Sequence, residues 1–80
     1  MTYTKKIFAE RLSQQIVLKY DIIRIARWAY DEFTLNCRDL EPGLKSEMMR
    51  IIAMEEGPEF EMTEQEIREF ARSLSEDGSR

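Results

Sequence analysis

The eighty residues contain no histidine, one cysteine, three glycines, two prolines and one tryptophan. The lack of histidine removes the usual general base near neutral pH, the usual base of a nucleophilic triad and the commonest zinc ligand. A single cysteine forms no disulfide within the chain and cannot build a thiolate zinc cage. Without a histidine to activate it, Cys37 is expected as a packed, inert thiol at the edge of an apolar helix face, in a reducing compartment. So few glycines leave no phosphate-cradling loop, neither G-x-x-x-x-G-K-[ST] nor G-x-G-x-x-G, and the pattern of an EF-hand is also missing. No apolar run approaches the length of a membrane span, and "MTYTKKIFAERL" has no stretch suited to a signal peptide. The expectation is a soluble, cytoplasmic protein without a cofactor or a metal.

Eighty residues allow one domain, here residues 1–75, with 76–80 as a tail expected to fray. Glycine and proline are absent from residues 1–41 and then punctuate the chain at "EPG" (41–43) and "GP" (57–58). Between these marks the apolar residues recur with helical spacing. Phe8, Leu12 and Ile16 stack on one face, followed by Ile22, Ile25, Ala26, Ala29 and Phe33. A single helix over both sets would be about 55–60 Å long, too long for a compact chain of this size, so a break is expected near 15–20. Asp21 is the candidate cap of the second helix. Pro42 fits the first turn of the third, with Leu44, Met48, Ile51 and Ile52 as its stripe. Gly57 suits a left-handed position after that helix, and Pro58 stops it.

The fourth helix carries the strongest local signal. Thr63 and Glu66 form a T-x-x-E capping box, and Met62 and Ile67 have the spacing of a hydrophobic staple. Ile67, Phe70, Ala71 and Leu74 then make an i, i+3, i+4, i+7 face. The spacing also suggests exposed pairs Glu47–Arg50, Glu64–Arg68 and Glu69–Arg72. The expected fold is all-α, a small bundle of three to four amphipathic helices at about 4–15, 21–36, 42–56 and 64–75.

Charge is distributed unevenly. Residues 1–38 hold seven Lys/Arg and four Asp/Glu (+3), whereas residues 39–80 hold five and twelve (−7), within a net charge of −4. A net acidic chain is a poor general binder of nucleic acid, which needs a basic face. "TEQEIREFARSLSEDGSR" resembles the opening of a helix-turn-helix only superficially, with no recognition helix after it. The carboxylate pairs Asp31/Glu32, Glu55/Glu56 and Glu59/Glu61 could serve acid–base chemistry only in a cleft that separates their pKa values, and so small a domain offers little room for one. No enzyme activity is expected.

The acidity is densest in "MEEGPEFEMTEQE" (54–66). Glu64 and Glu66 fall in the first turn of the fourth helix, where the helix dipole favours negative charge, and Glu55 and Glu56 fall at the end of the third, where it does not. Glu55, Glu56, Glu59 and Glu61 are therefore the candidate contacts for a basic partner protein. Trp28 and Leu35 lie on the far side of the second helix, flanked by Arg24 and Asp31. Either a neighbouring helix covers Trp28, or Trp28 and Arg24 form an exposed anchor of the kind that interfaces favour. Met48, Met49, Met54 and Met62 could add an adaptable apolar surface, although core filling accounts for Met48. The functional expectation is a non-enzymatic protein-binding module, for example a small immunity or antitoxin protein. The alternative is a structural homodimer that completes its core through the first two helices.

Overall fold

A computed structural model describes residues 2–78. Four helices form one bundle: α1 (Lys5–Leu18), α2 (Ile22–Asn36), α3 (Leu44–Ile52) and α4 (Glu64–Gly78). Two short 3₁₀ turns, Ala53–Glu55 and Pro58–Phe60, connect α3 to α4. Among the described residues there is no strand, only an isolated parallel bridge between Tyr3 and Leu40. Tyr3 N–H donates to the Asp39 carbonyl at 2.7 Å, and Glu41 N–H donates to the Tyr3 carbonyl at 2.9 Å. These two bonds tie the start of the chain to the α2–α3 connection.

The break after α1 is confined to Lys19, Tyr20 and Asp21, later than the expected end near residue 15. Ile16 explains the extension. It is 3% exposed in the core, and burying it favours continuing the helix through "QIVL" over leaving that stretch as a linker. Thr4 caps α1 by accepting from Ile7 N–H at 3.1 Å, and Asp21 caps α2 by accepting from Arg24 N–H at 3.1 Å. The molecule folds back within 32 × 23 × 22 Å instead of extending as one rod.

Two expectations at the punctuation marks are corrected. Pro42 is not in a helix. It occupies the second position of a turn closed by Leu44 N–H on the Glu41 carbonyl at 3.0 Å, and Gly43 follows at φ 87°, ψ −16°. That is type II turn geometry, which favours proline then a residue tolerant of positive φ, so α3 starts only at Leu44. Gly57 has φ 173° and ψ 159°, an extended conformation open to any residue rather than the left-handed one. α3 ends at Ile52 by tightening into the first 3₁₀ turn. α4 runs to Gly78, past the expected end at residue 75, and residues 79 and 80 of the expected tail lie outside the described residues.

Thr63 N–H donates to Glu66 Oε1 at 2.9 Å and Glu66 N–H donates to Thr63 Oγ1 at 3.1 Å, the reciprocal bonds of a capping box. The pairs Glu47–Arg50 (3.8 Å) and Glu64–Arg68 (3.1 Å) form, whereas no ion pair joins Glu69 to Arg72 among the described residues. α1 packs along α4 and α2 along α3. The Tyr20 hydroxyl, just past α1, donates to the Met62 carbonyl, just before α4, so those two helices run antiparallel. The core draws Phe8, Leu12 and Ile16 from α1, Ile25 and Ala29 from α2, Leu44, Met48 and Ile51 from α3, and Ile67, Ala71 and Leu74 from α4. Met54 in the first 3₁₀ turn is 2% exposed and belongs to the same core, so that methionine is packed rather than free to adapt at a surface. No helix among the described residues is long and apolar enough to cross a membrane.

Candidate protein-interaction surface

Glu55 and Glu59 lie in the two 3₁₀ turns, Glu56 and Glu61 directly follow them, and all four are exposed, making the α3–α4 connection an acidic ridge. Glu55 is engaged by Arg27 of α2, with Arg27 Nε donating to Oε1 at 3.1 Å. No ion pair holds Glu56, Glu59 or Glu61 among the described residues. Glu61 lies between two shallow hollows. One, of about 350 Å³, has Ile22, Ile23, Met54 and Pro58 beneath Asp21, Glu55 and Glu61. The other, of about 460 Å³, has Met49, Ala53 and Met62 beneath Glu59 and Glu61, with Arg50 at its side. Each hollow thus joins apolar lining to a carboxylate rim.

The charge of Glu61, together with those of Glu64 and Glu66 in α4, also reaches Tyr20. Its hydroxyl is raised above the ordinary tyrosine value by burial first, and then by the negative charge of Glu64, Glu61 and Glu66. Its bond to the Met62 carbonyl pins the acidic ridge to the α1–α2 corner. Among the described residues no three Asp, Glu or Cys side chains converge in a group able to hold a metal ion.

Arg24 and Trp28 occupy other positions than a free anchor would. The Arg24 guanidinium turns back onto the end of α1. It donates to the Gln15 side chain, to the Gln15 carbonyl at 2.6 Å, which also accepts from Lys19 N–H at 3.2 Å, and to the Lys19 carbonyl just past the helix end. The Trp28 ring is half-buried and stacks on Phe8 of α1, with centroids 5.4 Å apart and planes 9° apart. Both residues still border a shallow depression of about 580 Å³ on the outer side of α2, together with Ile23, Arg27 and Asp31. Ile23 lines this depression and the first acidic hollow, so the two surfaces are continuous.

Comparison with protein-family models, with curated proteins and with solved structures finds no match. The chemistry of the surface therefore stands on its own residues. Cys37 is exposed at the end of α2, not packed as expected, because α2 finishes at Asn36 and the chain turns away from the core there.

Sequence reading also passed over a buried polar cluster. Glu32 is 8% exposed and accepts from Arg11 Nη1 at 2.9 Å, while the Arg11 guanidinium also lies 5.6 Å from the centre of the Tyr3 ring. The signal was present in the periodicity, since Glu32 follows Ile25 by seven residues and Ala29 by three, in phase with the core. Tyr3 is 5% exposed, and its hydroxyl has no hydrogen-bond partner among the described residues. Burial, and next the Glu32 charge, push it from 10.0 up to about 12. The folded state thus keeps its proton where the unfolded chain loses it. Stability from this group is fully present below pH 10 and is lost as pH rises toward 12. Tyr20, raised in the same direction, adds to the loss. Urea titrations across this range should show a falling midpoint for the wild type and a shallower fall for Tyr3→Phe.

Proposed function

We propose that this chain is a non-enzymatic protein-binding module whose acidic ridge receives a basic partner protein. The observation that carries the reading is the set Glu56, Glu59 and Glu61, exposed and without ion pairs among the described residues, with Glu59 and Glu61 beside hollows that have apolar lining. A lysine or arginine side chain of the partner would lay its aliphatic stem on Met54 and Pro58, or on Met49 and Met62, and bring its charge to the rim. The −7 balance of residues 39–80 adds a long-range field that accelerates encounter with a cation-rich surface.

Arg24 and Trp28 border this contact and keep structural duties in it. One concrete form of the partner is a basic toxin that cuts nucleic acid, masked by this chain as an immunity protein or antitoxin. That form is an analogy of size, charge and helicity. The exposed thiol of Cys37 fits the reducing, cytoplasmic setting that the reading assumes.

Capture on the immobilised chain from cells of origin tests the reading, with bound proteins released by a rising salt gradient. The expected result is a basic protein released at moderate salt, because its association is mainly electrostatic. Retention of apolar or acidic proteins only, insensitive to salt, would refute it.

A further inference from the structure

Five large apolar side chains are exposed among the described residues, and three of them, Ile23, Tyr30 and Leu35, lie on α2. At 100° per residue, Ile23 and Tyr30 follow one edge of the outer face of α2, and Trp28 and Leu35 follow the other. Arg27 and Asp31 run between the two edges, one helical turn apart, and both are exposed. Glu55 takes only the Nε of Arg27, so the two terminal amino groups remain without a partner among the described residues. Asp31 likewise has no ion pair there.

A contact between identical surfaces must be complementary to itself under a two-fold rotation. This face meets that condition. We propose that a second copy of the chain packs its α2 antiparallel on this face, about a two-fold axis midway between Arg27 and Asp31. Arg27 then meets Asp31 of the partner subunit, and the pair occurs twice. The rotation keeps each apolar edge on its own side. Tyr30 and Trp28, one residue from the axis, therefore pack with their own copies, while Ile23 and Leu35, about 9 Å from it, lie against the same edge of the partner helix toward its ends.

The proposal draws on other charges than the acidic ridge, since Glu56, Glu59 and Glu61 take no part in it, while Ile23 is shared with the first acidic hollow. A stable contact of standard size covers about 800 Å² per partner, roughly a seventh of the 5356 Å² surface of this chain. The exposed face of one fifteen-residue helix is at the small end of that scale, so association in the micromolar range is expected.

The test is the molecular mass in solution, by light scattering or sedimentation equilibrium at about 100 μM, well above a dissociation constant in the micromolar range. The wild type should have twice the 9.6 kDa of one chain. Arg27→Glu alone and Asp31→Arg alone should each weaken the dimer at least about a hundredfold and leave mainly monomer at that concentration, because each sets two pairs of like charges against one another. Mixing the two variants should restore a dimer, since every facing pair is then again of opposite sign. Tyr30→Glu, which sets two like charges beside the axis, should also give a monomer, and circular dichroism should show all variants helical. A monomeric wild type, dimers that survive both reversals, or a mixture that stays monomeric would overturn the proposal, and the first result would leave this face to a different protein.

Discussion

Phe8→Ala should remove about 3–5 kcal/mol from the stability of the fold. Phe8 is 0% exposed and holds two aromatic neighbours, Tyr3 at 6.5 Å and Trp28 at 5.4 Å between ring centroids. Removing a buried phenylalanine costs about 3–5 kcal/mol in lost transfer energy and cavity formation. Small domains have roughly 0.05–0.15 kcal/mol of stability per residue, which places the whole of this chain at about 4–12 kcal/mol. The truncation therefore removes a large share. It also takes away the surface on which Trp28 stacks and on which the Tyr3 segment closes. Urea unfolding followed by circular dichroism should show the midpoint collapse, with Trp28 fluorescence shifting to the red in the absence of denaturant. A variant within about 1 kcal/mol of wild type would mean that α1 does not cover Trp28.

The second large effect is expected at Arg24. Its guanidinium reaches the Gln15 and Lys19 carbonyls and the Gln15 side chain from the first turn of α2. Hydrogen bonds to a charged group contribute about 1.5–3 kcal/mol, and the Lys19 bond is exposed, so Arg24→Ala should cost about 1.5–3 kcal/mol in total. Lysine keeps the charge but lacks the planar fork, so Arg24→Lys should recover only part of the loss. Hydrogen exchange should localise the change to the last turn of α1, at Val17, Leu18 and Lys19. Uniform loosening of the whole bundle would contradict this assignment.

These residues show what the sequence could and could not reveal. The capping box at Thr63 and Glu66 and the cap at Asp21 were legible because each is a bond between residues three apart, and such bonds depend on local spacing. The helical class was legible from the apolar period. Pro42 was misplaced because proline suits both the first turn of a helix and the second position of a type II turn, and the left-handed Gly43 that decides between them is a property of the backbone. Arg24 on the end of α1, Trp28 on Phe8 and Arg11 on Glu32 all join different helices, so no spacing within one helix announces them. At the ridge, the density of glutamate was legible. The capture of Glu55 by Arg27, which sets it apart from the other three, depends on how α2 meets the first 3₁₀ turn.

The central claim is that Glu56, Glu59 and Glu61 are kept for a partner and do little for the fold. The most direct measurement compares wild type with Glu56→Lys/Glu59→Lys/Glu61→Lys as two baits in quantitative affinity capture, with thermal unfolding of both as the control. The account predicts that the variant unfolds within a few degrees of wild type, since exposed positions change stability by only about 0.5 kcal/mol each. It also predicts that a basic protein enriched by the wild type is absent from the variant. Equal recovery of that protein by both baits, or a variant that fails to fold, would contradict it.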